Sequence, residues 1–278
     1  MSTPLERLLE VPSRSGVAAM TWLGQAGFIF RGSRGMALVD PFLAPHEGRR
    51  YESPFRPEDA RGIDVVMCTH EHVDHFDRES VSVIARVSPA AVFVVPKPIE
   101  DMVTEAGILP DRVMGMQPGQ VQEIAGFGIR AVPAKHGVTM EDAYGFGEEL
   151  SDGKVRFLGY VIDLEGVRLY HAGDTIHYDG MEEALRRLGI DAALLPINGR
   201  DSEREGRGIV GNLTEREAAW LAAEMGADTL VPMHYDMFER NRGSPAYVVE
   251  SLEREGREVR MLVPPRDLPF AVASIRSR

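Results

Sequence analysis

Cysteine is almost missing from this chain: Cys68 is the only one in 278 residues. A lone thiol excludes a disulfide within the chain and any zinc module built on several cysteines. Placed at the end of an apolar run, Cys68 reads as a buried, inert thiol rather than a ligand. Long apolar runs are lacking too. No segment approaches the roughly 20 apolar residues that cross a bilayer, and Met1–Arg14 has no apolar stretch of the secretory kind. A soluble cytoplasmic protein with no membrane partner is expected. Positive charge is in deficit, with 31 Lys and Arg against 43 Asp and Glu, a net charge of −12. That argues against a broad phosphate-tracking surface, so nucleic acid is not an expected partner. A local pocket for one small anion stays open. There is no G-x-S-x-G elbow and no Walker-type loop. Gly126-x-Gly128-x-x-Ala131 has the form of a dinucleotide fingerprint, but Pro133 forbids the helix that must follow it.

What is present is concentrated in Thr69-His70-Glu71-His72-Val73-Asp74-His75-Phe76-Asp77. It follows Ile63–Cys68, an apolar run that reads as a buried strand. In extended chain His70 and His72 point to one side, and Glu71 to the other. A turn then brings Asp74 and His75 back over the same spot. Packed in a core without a metal, these groups would need partners for several polar atoms at once. The set suits divalent cations bound by nitrogen and oxygen. It is not the helical H-E-x-x-H of zinc proteases, since position 74 is Asp.

The rest of the chain alternates strands and helices, the mark of a layered α/β fold. Residues 1–18 show no clear pattern. Met20–Gly24, Gly27–Phe30 and Met36–Val39 read as a β-meander ending at Asp40, which is read as bracing a metal ligand. Residues 42–62 form a loop able to rim the site, with His46 exposed. Helices are expected over Arg78–Val87, Glu100–Ala106, Met181–Leu188, from the capping box Thr214-x-x-Glu217 to Gly226, and from Ser244-Pro245 to about Gly256. Strands are expected over Ala91–Val95, Val113–Met116, Phe157–Leu164, Val167–Tyr170, Ala192–Leu195, Thr229–Met233 and Glu258–Val263, with a hairpin over Val121–Val132. Residues 138–154 and 201–211 read as charged loops. Histidine or aspartate recurs just past strand ends at 70–75, 136, 174 and 234. Residues 1–278 are therefore read as one domain of two similar β/α halves that send ligands to one sheet edge. Gly173 lets the backbone swing Asp174 into a shared cleft.

His70-x-His72-x-Asp74-His75, then His136, Gly173-Asp174-Thr175 and His234, resembles the metallo-β-lactamase superfamily in both residues and order. The segments Thr21–Gly27, Leu195–Asp201 and Val231–Asp236 are similar to its branch containing ascorbate-6-phosphate lactonases. The resemblance implies a four-layer αββα sandwich with metals at one edge between the sheets. It implies one cation on His70, His72 and His136, a second on Asp74, His75 and His234, and Asp174 bridging. The resemblance implies manganese or zinc, with iron less expected; a nitrogen and oxygen set is compatible with all three.

Paired divalent ions turn water into hydroxide near neutral pH and polarise the bond under attack, with Asp74 and Asp174 the carboxylates nearest that event. The expected activity is hydrolysis of a small polar, anionic substrate, a lactone or sugar-phosphate lactone. Asn198, Arg200 and Tyr235 are the candidate substrate contacts, equally readable as a solvent-facing loop and an aromatic wall. His171 and His177 flank Asp174 and are read as supporting or surface residues. Other readings are a phosphodiesterase or ribonuclease, an iron oxidoreductase on the same scaffold, and a non-catalytic metal-binding scaffold. A homo-oligomer is compatible with all of them.

Overall fold

The computed structural model describes residues 2–137, 155–206 and 211–275. The expected loop over residues 138–154 lies outside the described residues. In chain order the elements are α1 (Pro4–Glu10), β1 (Val17–Gly24), β2 (Gly27–Arg31), β3 (Met36–Val39), β4 (Val65–Met67), α2 (Arg78–Val87), β5 (Val92–Pro96), α3 (Glu100–Glu105), β6 (Val113–Met116), β7 (Val121–Ile124), β8 (Phe127–Pro133), β9 (Leu158–Leu164), β10 (Val167–His171), α4 (Met181–Leu188), β11 (Ala192–Pro196), α5 (Ser202–Gly206), α6 (Glu215–Glu224), β12 (Thr229–Met233), α7 (Pro245–Arg254), β13 (Arg260–Met261) and β14 (Pro269–Ala273).

The strands make two sheets of seven, ordered β14-β1-β2-β3-β4-β5-β6 and β13-β12-β11-β10-β9-β8-β7. Each sheet is antiparallel at one side and parallel at the other. In the first, β3 to β6 run parallel; in the second, β10 to β13 do. Alternation along a strand divides the core. Phe28 and Phe30 of β2 join Phe127, Tyr160 and Leu169 between the sheets, in a cluster that extends to Leu185, Leu221 and Val248 of α4, α6 and α7. Ile29, between them in sequence, faces the other way and packs with Leu8, Val66, Ile84 and Phe93 under α1 and α2. Helix, sheet, sheet, helix is the four-layer α/β sandwich. Each buried Phe or Ile contributes on the order of 1.5–3 kcal/mol, so Phe93→Ala should cost about 3–5 kcal/mol.

Local signals account for most boundaries. Asp77 caps α2, its carboxylate accepting from the N–H of Glu79 at 3.2 Å and of Ser80 at 3.4 Å. The capping box at α6 forms, with Glu217 N–H on Thr214 Oγ1 at 3.2 Å and Thr214 N–H on Glu217 Oε2 at 2.9 Å. Four expectations are corrected. The lead-in contains α1, capped by Thr3 and Glu6. The 201–211 loop contains α5. The strand expected over Glu258–Val263 shrinks to Arg260–Met261. A final strand, β14, pairs antiparallel with β1.

Candidate metal centre

β1, β3 and β4 point the same way, and so do β8, β10 and β12, as the pairing pattern requires. The loops leaving their carboxyl ends supply the site, the usual place for function on such sheets. Asp40 follows β3 and residues 69–77 follow β4. His136, Asp174 and His234 follow β8, β10 and β12.

All seven residues expected to bind metal converge there. His70, His72 and His136 offer ring nitrogens within 4.8 Å of one another, as do the donor atoms of Asp74, His75 and His234, and those of His70, His75 and Asp174. Asp174 faces both groups. Its Oδ2 lies 3.4 Å from His136 Nε2, and its Oδ1 lies 3.3 Å from both His75 Nε2 and His234 Nε2. His234 Nε2 is also 3.1 Å from Asp74 Oδ2.

Neighbouring groups set which ring nitrogens face inward. Asp40, fully buried, accepts from His75 Nδ1 at 2.7 Å, from Thr69 N–H at 2.8 Å and from the Thr69 hydroxyl at 2.9 Å. With its proton given to Asp40, the Thr69 oxygen is free to accept from His70 Nδ1, 3.1 Å away. Both rings are thereby left with Nε2 turned to the centre, the tautomer a ligating histidine needs. His171 bonds elsewhere. Its Nε2 donates to Ala26 O at 2.8 Å and its Nδ1 accepts from Gly173 N–H at 3.3 Å, which steadies the turn before Asp174. Gly173 itself has φ +61°, and a Cβ there would come within 2.8 Å of Thr69 Cβ. No larger residue fits this close approach.

His75 Nε2 and Asp174 Oδ1 are buried and find no hydrogen-bond partner among the described residues. Buried lone pairs left without hydrogens to meet are costly. A nitrogen and oxygen set with no sulfur fits a divalent cation in that position.

A sequence profile of the beta-lactamase superfamily domain matches residues 36–235. A UPF0173 metal-dependent hydrolase from Pyrococcus horikoshii is 32% identical over 251 residues, covering 86% of this chain and 98% of that protein. The chain is a metallo-beta-lactamase superfamily member. Within it, the chain belongs with the UPF0173 metal-dependent hydrolases. Solved structures with the same fold include Igni18, a metallo hydrolase from Ignicoccus hospitalis, with TM-score 0.71 at 22% identity over 93% of this chain and 99% of that one. An isothiocyanate hydrolase from Delia radicum gut bacteria superposes with TM-score 0.72 at 18% identity, over 92% of this chain and 100% of that one.

The electrostatics of this superfamily site are uneven. Burial, helped by neighbouring rings, holds His70 and His72 below the ordinary histidine value and brings His136 down to about 4. Burial acts on His75 and His234 too, but Asp174 and Asp74 outweigh it and raise both. Burial would likewise raise Asp74 and Asp174; the facing histidines overcome it and push both carboxyls down.

Other candidates fall in different places. Arg200 is paired with Glu217, its Nη1 3.0 Å from Oε2. Asn198 is 2% exposed and bonds Asn241 at 2.7 Å and Asn212 at 3.0 Å. Tyr235 stacks on Trp22 with ring centroids 5.3 Å apart, and both line a cavity of about 540 Å³ with Tyr51, Pro264, Pro265 and Arg266. Glu71 turns to Arg156, His177 to Glu182 at 3.0 Å, and Cys68 is buried with its thiol pKa raised by burial. Two participants had no assigned role in the sequence. Thr69 connects Asp40 to His70, and Gln25 reaches Asp74 and His234. The signal for Gln25 was slight: one polar side chain in the tight Gly24–Gly27 turn.

Proposed function

We propose that this metal-dependent hydrolase opens a small, polar, anionic substrate, a lactone or sugar-phosphate lactone first, at a pair of manganese or zinc ions. The observation that carries this is the inward convergence of seven donor residues around buried atoms with no hydrogen-bond partner among the described residues. His70, His72 and His136 would hold one cation and Asp74, His75 and His234 the other, with one Asp174 oxygen toward each. When bound, such a pair supplies Lewis acidity and a water acidified toward pKa 7. The chain does the positioning. Asp40 and Thr69 fix two imidazole rings, and Asp174 and Asp74 would orient the attacking water, their depressed pKa making them weak bases. The aromatic cavity beside Tyr235 supports a seat for the organic part of the substrate. Asn198 and Arg200, at the end of β11, remain the proposed polar contacts beyond it, once Arg200 exchanges its partner. The proposed setting is cytoplasmic, with a small molecule as partner and self-association permitted. Among the described residues no helix is long and apolar enough to cross a membrane.

The test joins metal analysis of native protein with a panel of lactones and phosphodiesters. Two cations per chain and lactone hydrolysis that His72→Ala abolishes, with the fold retained, is the expected result. Turnover of phosphodiesters alone would replace the substrate class. Wild-type rates in His72→Ala would end the enzymatic assignment.

A further inference from the structure

We propose that Gln25 is a further donor to the Asp74–His75–His234 site, holding its cation through the side-chain amide oxygen. This rests on the two-cation centre proposed above and adds a ligand type that histidine and carboxylate patterns do not reveal.

Gln25 Nε2 lies 2.7 Å from Asp74 Oδ2, to which it donates, and 2.9 Å from His234 Nε2, and those two atoms are 3.1 Å apart. Three polar atoms thus form a triangle. Donors sharing a cation at about 2.1 Å, in octahedral or tetrahedral arrangement, stand roughly 3.0–3.4 Å from one another. Two edges of the triangle are within about 0.1 Å of that spacing and the third is shorter.

Hydrogen bonding alone does not satisfy the triangle. The Asp74 carboxylate only accepts, and His234 Nε2 carries one proton at most. That nitrogen also faces Asp174 Oδ1 at 3.3 Å. A proton directed to either carboxylate leaves His234 unable to accept from Gln25. The nitrogen and oxygen of the amide are alike in shape and exchange places by a half-turn. With the oxygen inward, Gln25 and Asp74 face each other as two acceptors, an edge repulsive when empty and attractive around a cation, as expected of metal ligands.

The backbone holds the amide in place. Gln25 is 1% exposed, and its own carbonyl accepts from Trp22 Nε1 at 3.0 Å and from His234 N–H at 2.9 Å. Its φ is +52°, and His234 and Asp40 also have positive φ, so three of the six such non-glycine residues described are at this site. Strained conformations of this kind persist where surrounding structure enforces them, and they gather at functional sites.

A plain brace, an amide N–H donating to Asp74, predicts a different result from a ligand, and Gln25→Glu separates them. A carboxylate can bind the cation but cannot donate to Asp74. The full-length protein is loaded with manganese(II) and challenged with a graded chelator series, with bound metal read by electron paramagnetic resonance. Gln25→Ala should weaken the Asp74–His75–His234 cation at least tenfold while the His70–His72–His136 cation stays, which also reports that the variant is folded. Gln25→Glu should return affinity to within a few-fold of wild type or above it. Wild-type retention in Gln25→Ala, or Gln25→Glu as weak as Gln25→Ala, overturns the ligand role and leaves the centre standing. Fewer than two cations on the wild-type chain removes the centre itself, and this role with it.

Discussion

The two groups of candidate donors sit side by side yet are built differently. His70, His72 and His136 are all imidazole, and Phe157 lies against them with ring centroids 5.1, 6.1 and 5.4 Å away. Asp74, His75 and His234 bring a carboxylate of their own, share Asp174, and are held by Asp40 and Gln25. In the first group burial keeps the rings neutral. In the second, Asp174 and Asp74 favour the charged form of His75 and His234. A cation competes with protons more strongly in the second group than in the first. Adjacent sites in one cleft can therefore differ in affinity and in pH response without differing much in shape.

The largest expected effect joins the two groups. Asp174→Ala should weaken both cations and cut turnover by roughly a thousandfold or more, several kcal/mol of lost stabilisation. Two retained metals and a loss under tenfold would show that Asp174 does not bridge. Next, His72→Ala and His234→Ala should each leave one cation per chain by elemental analysis. If either variant keeps both, the division into two groups is wrong.

The comparison also predicts a slope of stability with pH in metal-free protein. His136 has a folded value of about 4 against about 6.5 unfolded. The unfolded chain then binds the extra proton between those values, so stability falls as pH drops from about 6.5 to 4, by on the order of 3 kcal/mol. His75 and His234 are raised, so what they contribute is fully present below about pH 6.5 and is lost as pH rises through their folded values. Denaturant titration at several pH values should show the acid slope flattened by His136→Gln and unchanged by His234→Gln. The same slope in both variants would erase the distinction. The smallest effect is Asp40→Asn, which should weaken the Asp74–His75–His234 cation about 10–100-fold and the other, reached only through Thr69, by less. Equal weakening at both would make Asp40 a general scaffold residue.

Elements with a strong local signal were legible in the sequence. α2, α4, β6 and β12 begin and end where pattern and punctuation place them. α1 was missed although Thr3-x-x-Glu6 is the same capping signature as Thr214-x-x-Glu217, because a helix of 7 residues shows too few turns for its period to stand out. β14 was missed because its partner, β1, lies at the other end of the chain. Asp77 looked like part of the metal cluster and serves as a helix cap.

The spacing of histidine and aspartate after successive strands determined the donor set, since ligand chemistry belongs to residue types and their order. Only the folded chain decided that Arg200 is held by Glu217 and that a glutamine from the first hairpin enters the site. Those facts depend on distances between segments far apart in sequence, which close packing of two sheets sets and no local pattern records.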